Sequence, residues 1–372
     1  MSAPLSQDIA LAHHWAVSMR GGEKVLEALA AMFPEAPIYT LVAQPENLSA
    51  PLRLHRFITS PLQRVPGGPR HYKKLLPLFA WAIPRLRVAA GTRIVISSDA
   101  SMIKGLTVPG GAIHICYCHS PPRYLWDMAD TYLKTTAGLG AVGRAVFRWV
   151  IPRAQRFDRE AAQRVTHFIA NSAFVQRRIR DFYGREAEVI HPPVDVGAFE
   201  AGRARQDFYL LVSELVPYKR VDLAVEAFRK TGRRLVVIGD GSEMASLRAS
   251  APANVEFLGR QPFAVLKEHF ETCRAFLYPQ IEDFGITAVE AQAAGSPVIA
   301  FRAGGALDTV IENETGLFFD RQDAAALADA VERAERTVFS AAACRENAGR
   351  FHARHFVEKI AAFISRTTGV TP

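Results

Sequence analysis

The stretch between Glu46 and Asp99 contains no aspartate or glutamate. It carries Arg53, Arg56, Arg64, Arg70, Lys73, Lys74, Arg85, Arg87 and Arg93 instead, an imbalance that ordinary mixed-sign composition does not produce. Cysteine is scarce too. Cys116, Cys118, Cys273 and Cys344 form no C-x-x-C pair, which argues against a disulfide framework and the common zinc spacings and points to reduced, structural thiols in a cytosolic compartment. Metal binding by Cys116 and Cys118 with His114 or His119 is the minor alternative. No apolar run reaches the roughly 18 residues that a membrane-crossing helix needs. The start, MSAPLSQDIALAHHW, lacks the basic region and long apolar core of a signal peptide. The expectation is a cytoplasmic chain that does not span a membrane.

What is present suits an ordinary globular protein of more than one core. The chain has 372 residues, 49% of them hydrophobic, with 22 prolines and 25 glycines, which suits two domains of roughly 150–200 residues. Ile9 to His13 reads as a strand. RGGEKVLEALAAMF follows as a glycine loop and an amphipathic helix, with Val25, Leu26, Leu29 and Phe33 at helical spacing. The runs PIYTLV, RIVISS, AIHICYC, THFIANS and AEVIHPPV read as further strands. A helix lies over AFVQRRIRDFYG, between the cap Ser172 and the stop Gly184. The pattern restarts near Phe208 with FYLLVSEL, RRLVVIGDG, NVEFLG, RAFLYP and SPVIAF. Strands alternating with helices predict parallel, doubly wound sheets. The expected division is a first Rossmann-like domain over 1–192, a linker over 193–206, a second Rossmann-like domain over 207–350, and a C-terminal helix over 351–372 that packs back on the first domain through Phe356, Ile360 and Phe363. Two such domains are expected to face a cleft, with ligands at the carboxyl ends of the strands.

The acid-free stretch leaves three readings open: a solvated basic face, a surface that docks on an anionic membrane, or a nucleic-acid site. Tyr72, Phe79 and Trp81 beside Arg70, Lys73 and Lys74 suit a membrane face. No helix-turn-helix, zinc finger or RNP-like motif accompanies the charge, which weighs against nucleic acid.

Five stretches carry chemistry. In EDFGITAVEAQAAG, Glu282 lies in the loop after a strand, Gly285 permits a turn, and a helix should begin near Ile286 or Thr287. Its N-terminus would attract a phosphate, while Glu290, one turn in, and Glu282, on the other side, could take sugar hydroxyls. That describes a nucleotide diphosphate sugar. Surface acids and helix caps are the alternative. In SELVPYKRVDLAVEAF, Lys219 and Arg220 sit between a strand and a helix start, where cations are unfavourable unless an anion is bound. VIGDGSE makes a tight turn at Gly239 and Gly241 where backbone could approach a base or phosphate. In the first half, Gly21 and Gly22 follow the first strand, and His119 follows AIHICYC and precedes two prolines. A structural role for His119 is the competing reading.

Together these stretches resemble the family 4 retaining glycosyltransferases of GT-B fold. EDFGITAVEAQAAGSPVIA with Gly304 and Gly305, SELVPYKRVDLAVEAF, VIGDG, IANSAFVQRRI with HPPVD, and CYCHSPPRYLWD carry the likeness in order over most of the chain. CYCHSPPRYLWD and LVPYKRVDLA look most like the bacterial GDP-mannose-dependent mannosyltransferases that build cell-surface polysaccharide. The resemblance implies that Glu282 binds hydroxyls of the donor hexose, Glu290 the ribose, and the backbone from Phe284 through Gly285 and Ile286 to Thr287 the phosphates, with Asp283 also on the donor side. It implies that Lys219 stabilises the leaving diphosphate, that His119 contacts the donor sugar, and that Gly21 and Gly22 line the first-domain side. Relatives often carry an arginine where this chain has Glu214, and Arg220 is the nearest substitute.

The implied reaction is metal-independent transfer with retention by front-side attack, with Lys219, Arg220 and the helix N-terminus stabilising charge on the diphosphate. No Asp-x-Asp motif argues otherwise. The expected partners are a nucleotide-sugar donor, most simply GDP-mannose, a lipid-linked saccharide acceptor and the inner face of an anionic cytoplasmic membrane, with no nucleic acid and no resident cofactor. Rivals are a UDP-sugar transferase, a sugar-nucleotide epimerase, a phosphorylase, and a basic nucleic-acid-binding protein.

Overall fold

Short apolar runs become strands buried on both faces, as parallel strands must be when helices cover both sides. The computed structural model describes residues 8–129, 140–200 and 202–371. The chain divides into two units, Met1–Pro193 with Phe356–Pro372, and Val194–His355.

The first unit holds β1 (Ile9–His13), β2 (Ile38–Thr40), β3 (Phe57–Thr59), β4 (Ile94–Asp99), β5 (Ile113–Cys118), β6 (His167–Ala170) and β7 (Ala187–Val189). Their order is β3-β2-β1-β4-β5-β6-β7. The second holds β8 (Tyr209–Val212), β9 (Leu235–Ile238), β10 (Val255–Gly259), β11 (Ala275–Tyr278), β12 (Val298–Phe301) and β13 (Gly316–Phe319) in the order β10-β9-β8-β11-β12-β13. The described strand pairs of both sheets are parallel. Both units are therefore Rossmann-like, and each winds outward in two directions from a central pair. The winding reverses between β1 and β4 and between β8 and β11, and the crevice at that switch point is where such sheets bind ligands.

Helix boundaries follow local chemistry. Ser172 caps the helix Ala173–Tyr183 by accepting the Val175 N–H at 3.0 Å, and Gly184 ends it in the left-handed region. The C-terminal helix Ala353–Thr368 buries Phe356, Ile360, Phe363 and Ile364, which join Ile9, Leu11, Ile96 and Ile115 in the first core. The expected return of this helix to the first domain is thus present, as a stripe at helical spacing.

Several expectations need adjustment. The two short strands β3 and β13 go beyond the sequence expectation, because three or four residues beside turns carry little period-2 signal. The helix Gly21–Met32 starts at Gly21, so Gly21 and Gly22 form its first turn and not a loop. Residues expected in the linker already pack in the second unit: Val194 donates its N–H to Phe351 at 2.9 Å, and Val194 and Phe199 lie in its core. All four cysteines are buried and free. Burial pushes the thiols of Cys273 and Cys344 up to about 11, which suits inert structural cysteines.

Candidate functional site

In the second unit the switch point is built around an ion pair. β11 ends at Tyr278, and the chain runs through Pro279 and Gln280 to Glu282. The helix Ile286–Ala293 then begins after Gly285, whose φ of 96° lies in the left-handed region. A Cβ there would fall 2.5 Å from the Tyr278 hydroxyl, so both conformation and space require glycine. The turn is clamped from behind: Gly305 donates its N–H to Glu282 at 2.8 Å, and a Cβ on Gly305 would lie 2.3 Å from the Phe284 Cα. The Phe284 ring is buried against Phe351, 5.4 Å between centroids, so only its backbone can serve a ligand. Glu290 is half-buried on the same helix. The first N–H groups of this helix have no intrahelical acceptor, which is the ordinary anion-binding property of a helix start.

β8 ends at Val212, three residues earlier than expected, and a short 3-10 turn Pro217–Lys219 follows. This brings the Lys219 Nζ into direct contact with the Glu282 carboxylate. Their side chains are 17% and 21% exposed, enough for a ligand to reach both. Arg220 is the next residue in the chain. It adopts φ 54° at the start of the helix Val221–Thr231. Its guanidinium is forked onto Asp222 at 3.1 and 3.2 Å and reaches Gln322 at 3.4 Å. Arg220 stays 31% exposed in that pair, and Glu214 is exposed. Gly239 and Gly241 also serve the protein itself: a Cβ on either would strike the carbonyl of Ser213 or Leu215 at 1.8 and 2.3 Å. A close approach at VIGDG is thus made between two loops of the sheet itself.

In the first unit the switch point carries histidines. β1 ends on His13 with His14 next, β4 on Ser98 and Asp99, and β5 runs into His119. Ser98 Oγ lies 2.7 Å from His119 Nε2 and 3.1 Å from His13 Nδ1. The His13 and His14 rings are 4.0 Å apart, and each lies about the same distance from His119, 6.5 and 6.4 Å. Burial lowers His13 to about 4 and His14 and His119 to about 3, so the three imidazoles are neutral at neutral pH. Gly22 covers them; its Cβ would sit 3.4 Å from His13 and 3.7 Å from His119, so a methyl would just touch and anything larger would displace a ring. Behind the cluster Lys104 is buried between two acids, 3.1 Å from Asp99 and 2.5 Å from Asp158. Asp158 also accepts from Trp126 at 3.0 Å and Tyr183 at 2.7 Å. His13, His14, Glu23, Ser98 and Lys104 were not singled out from sequence; the pair His-His at a strand end was the one visible signal.

Both halves of the chain match known families. Residues 19–197 match the family model described as Glycosyltransferase Family 4, and residues 199–351 the one described as Glycosyl transferases group 1. The chain belongs to glycosyltransferase family 4. It is 33% identical over 211 residues to a GDP-mannose-dependent alpha-(1-6)-phosphatidylinositol monomannoside mannosyltransferase of Mycobacterium tuberculosis, covering 47% of this chain and 55% of that one. It is 32% identical over 199 residues to a D-inositol 3-phosphate glycosyltransferase of Acidothermus cellulolyticus, covering 44% of each. The chain thus spans about half the length of the curated relatives it matches. Among solved structures, Anabaena HepE in complex with UDP aligns with a TM-score of 0.68 at 16% identity, over 96% of this chain and 100% of that one. Sucrose-phosphate synthase from Thermosynechococcus elongatus aligns equally well, with a TM-score of 0.68 at 18% identity over 97% and 99%. These likenesses fix the fold as GT-B.

In this family 4 chain the acid-free stretch divides in two. Tyr72 and Phe79, expected at a membrane interface, are buried in the first unit's core with Trp15, Val150 and Ile151. Their apolar bulk fills space under the segment Tyr72–Leu78. Arg70, Lys73 and Lys74 are exposed, as is Trp81 at 48% with the Arg85 guanidinium 4.1 Å over its ring. The helix Ala141–Arg164 adds Trp149, 61% exposed, with Arg153 at 3.6 Å. Among the described residues no helix is long and apolar enough to cross a membrane.

Proposed function

We propose that the protein is a retaining glycosyltransferase that moves a hexose, mannose from GDP-mannose, to a lipid-linked or polysaccharide-precursor acceptor. The observation that carries this is the Lys219–Glu282 pair at the switch point of the second sheet, beside the helix start opened by Gly285. A sugar diphosphate answers both charges. Its diphosphate takes Lys219 and the free N–H groups at Ile286 and Thr287, and the hexose hydroxyls take the Glu282 carboxylate released from the lysine. As the glycosidic bond breaks, charge grows on the leaving oxygen and the anomeric carbon gains oxocarbenium character. Lys219 and the helix start stand ready for that charge without reorganising, the kind of stabilisation that contributes most to such reactions. With no carboxylate assigned as nucleophile, the acceptor hydroxyl attacks on the leaving-group side and gives its proton to the departing phosphate oxygen. Glu290 takes the ribose, and in the first unit His119 takes a sugar hydroxyl. Lysine and helix dipole fill the place a divalent metal would otherwise take.

The choice of GDP-mannose is supported by the mycobacterial relative's name. A UDP-sugar is the second reading, favoured by the Anabaena protein being solved with UDP and with UDP-glucose. Exposed Arg70, Lys73, Lys74 and Trp81 support peripheral association with the inner face of an anionic cytoplasmic membrane. A donor screen following nucleoside diphosphate release, with and without EDTA, tests the proposal. Release from GDP-mannose that survives EDTA is expected. Preference for a UDP-sugar would replace the donor, and silence with every donor would overturn the transferase reading.

A further inference from the structure

We propose that Glu23 sets the tautomer of His119 through the chain Glu23–His13–Ser98–His119, and so decides whether His119 accepts or donates a hydrogen bond to a bound hydroxyl. The ligand rests on the function proposed above; the tautomer coupling does not.

The geometry leaves few alternatives. Ser98 has one hydroxyl proton and two imidazole nitrogens at 2.7 and 3.1 Å. It can donate to one of them, and the other must donate to it. The protonation of His119 Nε2 is therefore tied to that of His13 Nδ1. The remaining nitrogen of His13, Nε2, is fully buried and makes no hydrogen bond. Its nearest charged neighbour is Glu23 Oε1 at 3.6 Å. The other Glu23 oxygen is fixed, because it accepts the Arg20 N–H at 3.0 Å. At the far end, His119 holds its ring by Nε2 and its carbonyl by Asn171 at 2.9 Å, and Nδ1 makes no hydrogen bond among the described residues.

Two proton arrangements satisfy this chain. With Glu23 ionised, His13 carries its proton on Nε2, toward the carboxylate. Ser98 then donates to His13 Nδ1, and His119 donates from Nε2 to Ser98. His119 Nδ1 is left as an acceptor. With Glu23 protonated, the acid's O–H faces His13 Nε2 and donates to it once the 3.6 Å gap closes by a few tenths of an ångström, His13 Nδ1 donates to Ser98, and Ser98 donates to His119 Nε2. His119 then presents an N–H at Nδ1. The arrangements differ by one proton, taken up at His119 Nδ1 from solvent as Glu23 gains its own through the three intervening shifts. The groups facing the chain are the His14 ring, Asp99, Lys104 behind it and the Arg20 backbone. Burial keeps both rings neutral, so the chain works through tautomers and not through imidazolium. Glu23, His13 and Ser98 are thus positioning residues.

The test is ring 15N NMR on the full-length protein labelled at histidine, with His119 assigned by its loss in H119Q. The wild-type protein at neutral pH should show His119 protonated at Nε2. In E23Q the amide oxygen is held by the Arg20 N–H, so the amide NH2 faces His13 Nε2 and His119 should move to the Nδ1–H form. Lowering the pH of the wild-type protein through the titration of Glu23 should produce the same change without any substitution. The same His119 tautomer in wild type at both pH values and in E23Q would overturn the proposal, whatever the activity. With the nucleotide-sugar assay in hand, E23Q should lower kcat about tenfold, the scale of one mismatched hydrogen bond, with donor KM nearly unchanged. A wild-type protein that turns over no donor would sink the proposed function and leave the tautomer result standing.

Discussion

The two sheets of this chain share one winding, yet their switch points are chemically opposite. In the second unit the crevice between β8 and β11 holds a partly exposed lysine–glutamate pair and a helix start. In the first unit the place between β1 and β4 holds neutral imidazoles, with Lys104 behind them sealed between two acids. Topology thus decides where a ligand meets the sheet, and side chains decide what it can be. Charge that a ligand can reach suits a diphosphate. Neutral donors and acceptors suit hydroxyls. The comparison also separates two kinds of lysine: Lys219 is exposed enough to exchange its partner, and Lys104 is not.

The first way to break that contrast is to remove the sealed charge. Lys104→Met should destabilise the first unit by about 3–5 kcal/mol, because it leaves two buried carboxylates uncompensated. Urea unfolding measures it, and a loss below 1 kcal/mol would mean that Asp99 and Asp158 are not held as the ion cluster implies. The matching change in the second unit should spare stability and remove activity. Lys219→Ala and Glu282→Ala should each cost about 10²–10³ in kcat, or about 3–4 kcal/mol of transition-state stabilisation, with thermal melting nearly unchanged. Unaltered turnover in both would displace the site from this crevice.

A third effect belongs to the histidines. His13 and His14 have folded pKa values of about 4 and about 3, depressed by burial from 6.5. The unfolded chain binds the proton first as pH falls, so their contribution to stability is intact above 6.5 and shrinks from there down toward 4. Each group removes up to about 1.4 kcal/mol per pH unit in that window. Unfolding midpoints that stay level between pH 7 and pH 5 would show these imidazoles to be open to water. The smallest effect is at the surface. Replacing Lys73 and Lys74 by Ala should weaken binding to anionic vesicles by about 1 kcal/mol per lysine. Equal flotation of the wild type with neutral and anionic vesicles at low salt would end the membrane assignment.

Much of this was legible in the sequence because it is local. The strand at Ile9–His13, the cap pair Ser172 and Gly184, the helix start after Gly285 and the amphipathic stripe of the last helix each follow from periodicity, capping and backbone freedom within a few residues. So did the candidates Lys219 and Glu282, from their position between a strand and a helix. Contacts between distant segments were not legible. Nothing near Lys219 shows that its amine meets a carboxylate 63 positions away, or that Ser98 joins His13 to His119. Burial was misjudged for the same reason: Tyr72 and Phe79 sit among surface bases in sequence, and only their packing against Val150 and Ile151 shows them to be core. The sequence alone determined the alternation of strands and helices, most of their positions, and which kinds of group lie at the strand ends. The tertiary structure decided which of those groups pair, which are sealed from water and which remain open to a ligand, because those properties depend on contacts that chain order does not encode.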